Sequence, residues 1–144
     1  MSDWAIAADG KVDLSPMQVF QAWTDAALMQ RWMAPGTMRV NALTVDPVEN
    51  GLWRIEMQDV EGVLQVAHGH YVSLLSDREL ELTWQWEGQH YDTTIVVSIE
   101  PDLNGGTNVC IEQKGFPSMD VAQSHESGWS YCLEKLAKLA SVLD

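Results

Sequence analysis

Only eight of the 144 residues are lysine or arginine, against 21 aspartates and glutamates, which leaves a net charge of −13. Phosphate backbones are bound by clustered cations, so this scarcity argues against nucleic acid as a partner. It argues equally against binding or inserting into an anionic membrane surface. Solubility accounts for the acidic surplus, which would also steer a basic protein partner. Cysteine is nearly absent too: Cys110 and Cys132 stand alone. Two isolated cysteines read as reduced and structural. There is no Cys-x-x-Cys, no His-Glu-x-x-His and no Gly-x-Gly-x-x-Gly, so no metal or cofactor is expected. No apolar run approaches the roughly 20 residues of a membrane span. Met1-Ser2-Asp3-Trp4 has neither a basic n-region nor an apolar h-region, so we expect no signal peptide and a cytoplasmic protein. Repeats, low-complexity segments and linkers are missing as well, and residues 1–144 fit one domain.

What the chain has in excess is tryptophan, with seven residues. Trp53, Trp84 and Trp86 fall on alternating segments, and Trp23, Trp32 and Trp129 on amphipathic ones. These six are expected to face inward, while Trp4 has no clear assignment. Each buried aromatic removes roughly 150–250 Å² from water. A domain this small does not need six indoles for a core. They either line a cavity between a sheet and a helix or fill that space themselves, and the sequence leaves both open.

The local patterns give an element order. Trp4 to Val12 is a weakly alternating first strand. Ser15, Pro16 and Gln18 form a capping box with proline at the first helical position, and Val19, Phe20 and Trp23 give that helix an apolar face. Asp25 can cap a second short helix carrying Leu28, Met29 and Trp32, ended by Ala34-Pro35-Gly36. From Met38 the period becomes two. Strands follow around Val40, at Trp53-Ile55-Met57, over Val63 to Leu75, at Leu80-Leu82-Trp84-Trp86, at Thr93-Ile95-Val97-Ile99 and at Thr107-Val109-Ile111-Gln113. One polar and one apolar face on successive strands indicates an antiparallel sheet covered on one side. After Ser118 the period is helical again. Val121, His125, Trp129, Cys132, Leu133, Leu136, Leu139, Ala140 and Leu143 trace one stripe, predicting a helix of about 25 residues, near 38 Å long. Gly128 interrupts it, either for close packing or as a bend over a cavity. Strand, two short helices, six strands and a long helix make an α+β fold.

That order resembles the SRPBCC superfamily, with its START-like helix-grip fold. It is similar in particular to the AHSA-type branch, named for homologues of the activator of the heat-shock chaperone ATPase. The likeness runs through Val19-Phe20-Gln21-Ala22-Trp23-Thr24-Asp25, Arg31-Trp32 and Gly51-Leu52-Trp53-Arg54 with Met57. It continues in His68-Gly69-His70-Tyr71, Leu82-Thr83-Trp84-Gln85-Trp86, Gly106-Thr107 and His125-x-x-Gly128-Trp129. The family's usual Asp-x-Arg-x-Gly-Gly turn is here Asp46-Pro47-Val48-Glu49-Asn50-Gly51, without the arginine and one glycine. The resemblance implies a curved antiparallel sheet of about six or seven strands, two short helices closing one end, and a long C-terminal helix across a cavity. It also implies that this cavity binds apolar molecules.

Candidate site residues follow. Trp53, Trp84, Trp86 and Trp129 are the expected walls, joined by Met57, with Gln113 and His125 as polar anchors for a ligand and Tyr71 offering a hydroxyl for the same purpose; local bonding to backbone is the alternative for Gln113. His125 is the one candidate for acid–base catalysis, and a buried histidine bonded to a neighbour is the alternative. His68 and His70 share strand parity. They face the cavity if Leu64, Val66 and Val72 point inward, and solvent if Tyr71 does. No third ligand has zinc-site spacing. Cys132 reads as a small core residue. Three functions remain: binding of a lipid-like or polyketide-like apolar ligand, a cyclase, aromatase or hydrolase on the same cavity, and a chaperone ATPase-regulating module. Monomer and homodimer are equally compatible with the sequence.

Overall fold

The computed structural model describes residues 4–139. Nine residues, Trp4–Val12, form β1. Two short helices follow, α1 (Pro16–Ala22) and α2 (Ala26–Trp32). Ser15 Oγ accepts from the Gln18 backbone N–H and the Gln18 side chain returns a bond to the Ser15 N–H, closing the capping box ahead of Pro16. Asp25 Oδ1 caps α2 through the N–H groups of Ala27 and Leu28. Six strands come next: β2 (Arg39–Val45), β3 (Leu52–Gln58), β4 (Leu64–Leu75), β5 (Glu79–Trp86), β6 (Thr93–Pro101) and β7 (Thr107–Phe116). The last element is α3 (Met119–Lys138), capped by Ser118. Ala140 and Leu143, the end of the expected stripe, lie outside the described residues.

The strands make one antiparallel sheet in the order β1-β7-β6-β5-β4-β3-β2. Alternation decides which face is covered. Trp53, Ile55 and Met57 of β3, Leu80, Leu82 and Trp84 of β5, Ile95, Val97 and Ile99 of β6 and Val109 and Ile111 of β7 are all buried. Their alternate neighbours face water, as expected of a sheet covered on one side. α3 packs across this face, closest to β1 and β7, while α2 rests on β2. The architecture is an α+β helix-grip fold, with the space between α3 and the strands β3 to β5 left for side chains.

Two local details shape that space. In the turn before β3, Asn50 takes a positive φ of 67°. Asparagine tolerates that region better than other side chains do. On β4, Gly69 lies opposite Trp53. A Cβ at this position would fall 2.1 Å from the Thr83 carbonyl oxygen. The empty position lets the Trp53 indole reach that same oxygen, 3.1 Å from its Nε1. Meanwhile the His70 backbone N–H donates to Thr83 Oγ1 at 3.0 Å. Side chains thus supply bonds where the β4–β5 ladder pairs no residues between His68 and Tyr71.

The β4 parity is settled by Tyr71, which is buried beside α1 and donates from its hydroxyl to the Trp23 carbonyl at 2.9 Å. Ala67, Gly69 and Tyr71 share the inner face, so His68 and His70 lie on the outer one. Five of the six inward-expected tryptophans are buried to 4% exposure or less. Trp86 is half-buried and Trp4 exposed.

Candidate functional site

The indoles form one connected array. Trp84 is its hub, with ring centroids 4.9 Å from Trp53, 5.4 Å from Trp86 and 5.5 Å from Trp129. Trp129 continues to Trp23 at 5.6 Å, and Trp23 to Trp32 at 4.8 Å in an edge-on contact. Such pairs add about 0.5–1.5 kcal/mol each beyond area burial. β5 sets two members on alternate positions, β3 sets one opposite Gly69, and α3 brings Trp129 down from above.

The array does not fill the interior. A cleft of about 220 Å³ remains between β3–β5, α3 and the segment after α2. Trp84, Trp86 and Trp129 wall it with Met33, Met38 and Met57. Gln65, Ser124 and His125 supply its few polar atoms, and Pro35, Gly128 and Cys132 complete the lining. The Gly128 position faces Pro35 across the mouth, with 3.8 Å between a would-be Cβ and the proline ring. That is an ordinary contact distance, so tight packing does not demand the glycine.

A polar chain stiffens the back wall. Trp129 Nε1 donates to Gln113 Oε1 at 2.7 Å, Gln113 Nε2 to Thr93 Oγ1 at 2.8 Å, and Thr93 Oγ1 to the Trp84 carbonyl at 2.7 Å. Gln113 is fully buried and stands behind Trp129, outside the lining. It fixes two cavity walls without facing the cavity. Trp53 and Tyr71 also sit deeper, around a void of about 10 Å³ under Trp84 with Met29 and Leu82. Of the residues expected from sequence, Met57, Trp84, Trp86, His125 and Trp129 come together at the cleft. Trp84 Nε1 has no hydrogen-bond partner among the described residues, a burial that costs about 1–3 kcal/mol.

His125 closes the outer end. Its Nε2 lies 2.7 Å from Trp86 Nε1, and its Nδ1 lies 3.0 Å from the Val121 carbonyl oxygen. An indole N–H only donates and a carbonyl only accepts. His125 is therefore neutral with its proton on Nδ1, and its Nε2 lone pair is committed to Trp86. Burial lowers its pKa below the ordinary 6.5, against a smaller opposing effect of the Val121 bond. Burial also pushes the Cys132 thiol up to about 12, with the Lys135 ammonium pulling weakly the other way. At neutral pH the cleft therefore presents neither a free imidazole lone pair nor a thiolate.

A further tie holds the cleft's front. Lys135 of α3 donates from Nζ to the carbonyls of Ala34 and Met38, the latter at 3.2 Å. It pins the segment that carries Met33, Pro35 and Met38 over the opening. The contribution of this segment is invisible to periodicity, because loop residues obey none. Gln65 is hidden for another reason: β4 has apolar residues on both parities.

A family model described as Activator of Hsp90 ATPase homolog 1-like protein matches residues 13–141. The chain belongs to that family. No curated protein matches it. Among solved structures, the AHSA1 protein from Silicibacter pomeroyi is similar, with a TM-score of 0.86 and 20% identity over 98% of this chain and 100% of that one. A protein from Chromobacterium violaceum matches with a TM-score of 0.83 and 21% identity, covering 94% of this chain and 96% of its own. One from Mycobacterium smegmatis matches with a TM-score of 0.77 and 13% identity, covering 94% and 89%. These likenesses establish the fold. Among the described residues, no helix is long and apolar enough to cross a membrane.

Proposed function

We propose that this AHSA1-family protein binds a compact, planar, apolar molecule in the cleft under α3. The observation that carries the reading is the cleft itself: about 220 Å³ walled by three indoles and three methionine side chains. An apolar cavity of about 150 Å³ accepts benzene, whereas drug-sized ligands occupy about 300–1,000 Å³. The volume suits one or two fused rings and disfavours an extended acyl chain. Indole faces and edges stack on flat rings, and methionine thioethers adapt to their outline.

Binding is favoured over catalysis by the state of the cleft's reactive groups. His125 has both ring nitrogens in hydrogen bonds, and burial keeps Cys132 a thiol. The test is isothermal titration with naphthalene and with a long-chain fatty acid, backed by native mass spectrometry of the freshly purified protein. Saturable binding of naphthalene, weakened by Trp129→Leu, supports the reading. Failure of naphthalene and every other ring compound to bind overturns it and moves attention to the surface, where a chaperone-regulating role would reside.

A further inference from the structure

Beyond Trp86 lies a second space, a surface groove of about 400 Å³ that also touches Val66, Glu87 and Gln89. Gln65, Trp86, Ser124 and His125 line both the groove and the inner cleft. They are the wall between the two, and the Trp86–His125 hydrogen bond latches it. Trp86 ends β5, is only half-buried, and is held by this bond together with its edge-on contact to Trp84.

The two spaces differ in chemistry. The inner one is apolar and aromatic. The outer one contains a single formal charge, the Glu87 carboxylate, and no lysine or arginine lines it. Glu87 forms no ion pair among the described residues, and its backbone is anchored at the groove by a 2.8 Å bond from its N–H to the Val66 carbonyl. Gln65 and Ser124 on the shared wall carry oxygens that can accept from an ammonium group. A carboxylate in the same place would meet Glu87 and the field of a chain with net charge −13.

We propose that the cleft and the groove are two halves of one elongated site, which takes an aromatic amine. The ring occupies the inner half, and the protonated amine, on a short flexible tail, passes the Trp86–His125 latch to lie beside Glu87. The inference rests on the ring-binding reading above. It adds the class of ligand and makes Trp86 and Glu87 the residues that determine specificity.

Titration calorimetry at low salt with naphthalene, naphthylbutylamine and naphthylbutyrate tests it. The amine should bind about five-fold more tightly than the carboxylate, the upper range of a partly exposed ion pair. Glu87→Gln, at an exposed position, should cut that preference about three-fold and leave naphthalene unchanged. Equal binding of amine and carboxylate overturns the inference, as does a preference that Glu87→Gln leaves intact. If naphthalene binds in those cases, the ring-binding reading survives alone. If naphthalene and every other ring compound fail to bind, both readings fall together.

Discussion

Replacing Gln113 with leucine removes hydrogen bonding from the most buried polar side chain near the cleft while keeping a similar shape. Gln113 is fully buried and joins Trp129 Nε1 at 2.7 Å to Thr93 Oγ1 at 2.8 Å. In Gln113→Leu the buried Trp129 N–H loses its acceptor, at a cost of about 1–3 kcal/mol. Thr93 keeps its donor bond to the Trp84 carbonyl and loses only a bond that it accepted, which adds about 0.5–1 kcal/mol. The leucine recovers part of this through apolar burial. The net expectation is a loss of about 2 kcal/mol, equal to about 4–8 °C in Tm for a chain of this size. Urea unfolding followed by far-ultraviolet circular dichroism measures it, provided the slope m stays constant. A double-mutant cycle sharpens the result. In a Trp129→Phe background the indole donor is gone, so Gln113→Leu should cost less by about 1 kcal/mol or more. A single mutant within about 0.5 kcal/mol of the parent, or strict additivity in the cycle, would refute the claim that this chain of bonds holds the back wall.

Protonation of His125 is opposed in the folded state, chiefly by burial. The unfolded chain takes up this proton near 6.5 and the folded chain only at lower pH, so stability should fall as pH drops below about 6.5 and level off below the folded value. His125→Gln should flatten that part of the curve in urea midpoints compared between about pH 8 and pH 5; an unchanged slope would contradict the neutral, latched imidazole. Gly69→Ala would drive a Cβ to 2.1 Å from the Thr83 oxygen and should destabilise by about 3 kcal/mol or more, measured by the same unfolding assay. Gly128→Ala meets nothing nearer than 3.8 Å and should instead stabilise α3 by up to about 1 kcal/mol through helix propensity; a marked loss there would mean that the glycine is needed for a bend.

The fold was legible wherever a period was strict. β5 reads Glu79-Leu80-Glu81-Leu82-Thr83-Trp84, and the structure buries the apolar half. The capping box at Ser15 and the N-cap at Ser118 placed two helix starts correctly. β4 was ambiguous, because Leu64, Val66 and Val72 on one parity compete with Ala67 and Tyr71 on the other. Tertiary contact decided it, through the bond from the Tyr71 hydroxyl to the Trp23 carbonyl just past α1, and a register shift between Tyr71 and Ser73 lets the strand change its pairing. The site was legible only where strands and helix supply it. Parity shows that Trp53 and Gln113 face inward but not how deep they sit. The Trp86–His125 pair, 39 residues apart, and the wall built from Met33, Pro35 and Met38 depend on how α3 lies over the sheet, which no local pattern encodes.

The grip of Lys135 on the segment after α2 has a consequence for how this protein can change. The ammonium holds the carbonyls of Ala34 and Met38, groups that every amino acid carries. A main-chain grip is indifferent to the side chains borne by the strip that it holds. Pro35 and Met38, which are only partly buried, can therefore be exchanged for larger, smaller or more polar residues while the strip stays moored to α3, whereas Met33 is held in the core. One side of the chamber is thus a replaceable panel on a fixed frame, where new ligand preferences can be tried without remaking the indole array behind it.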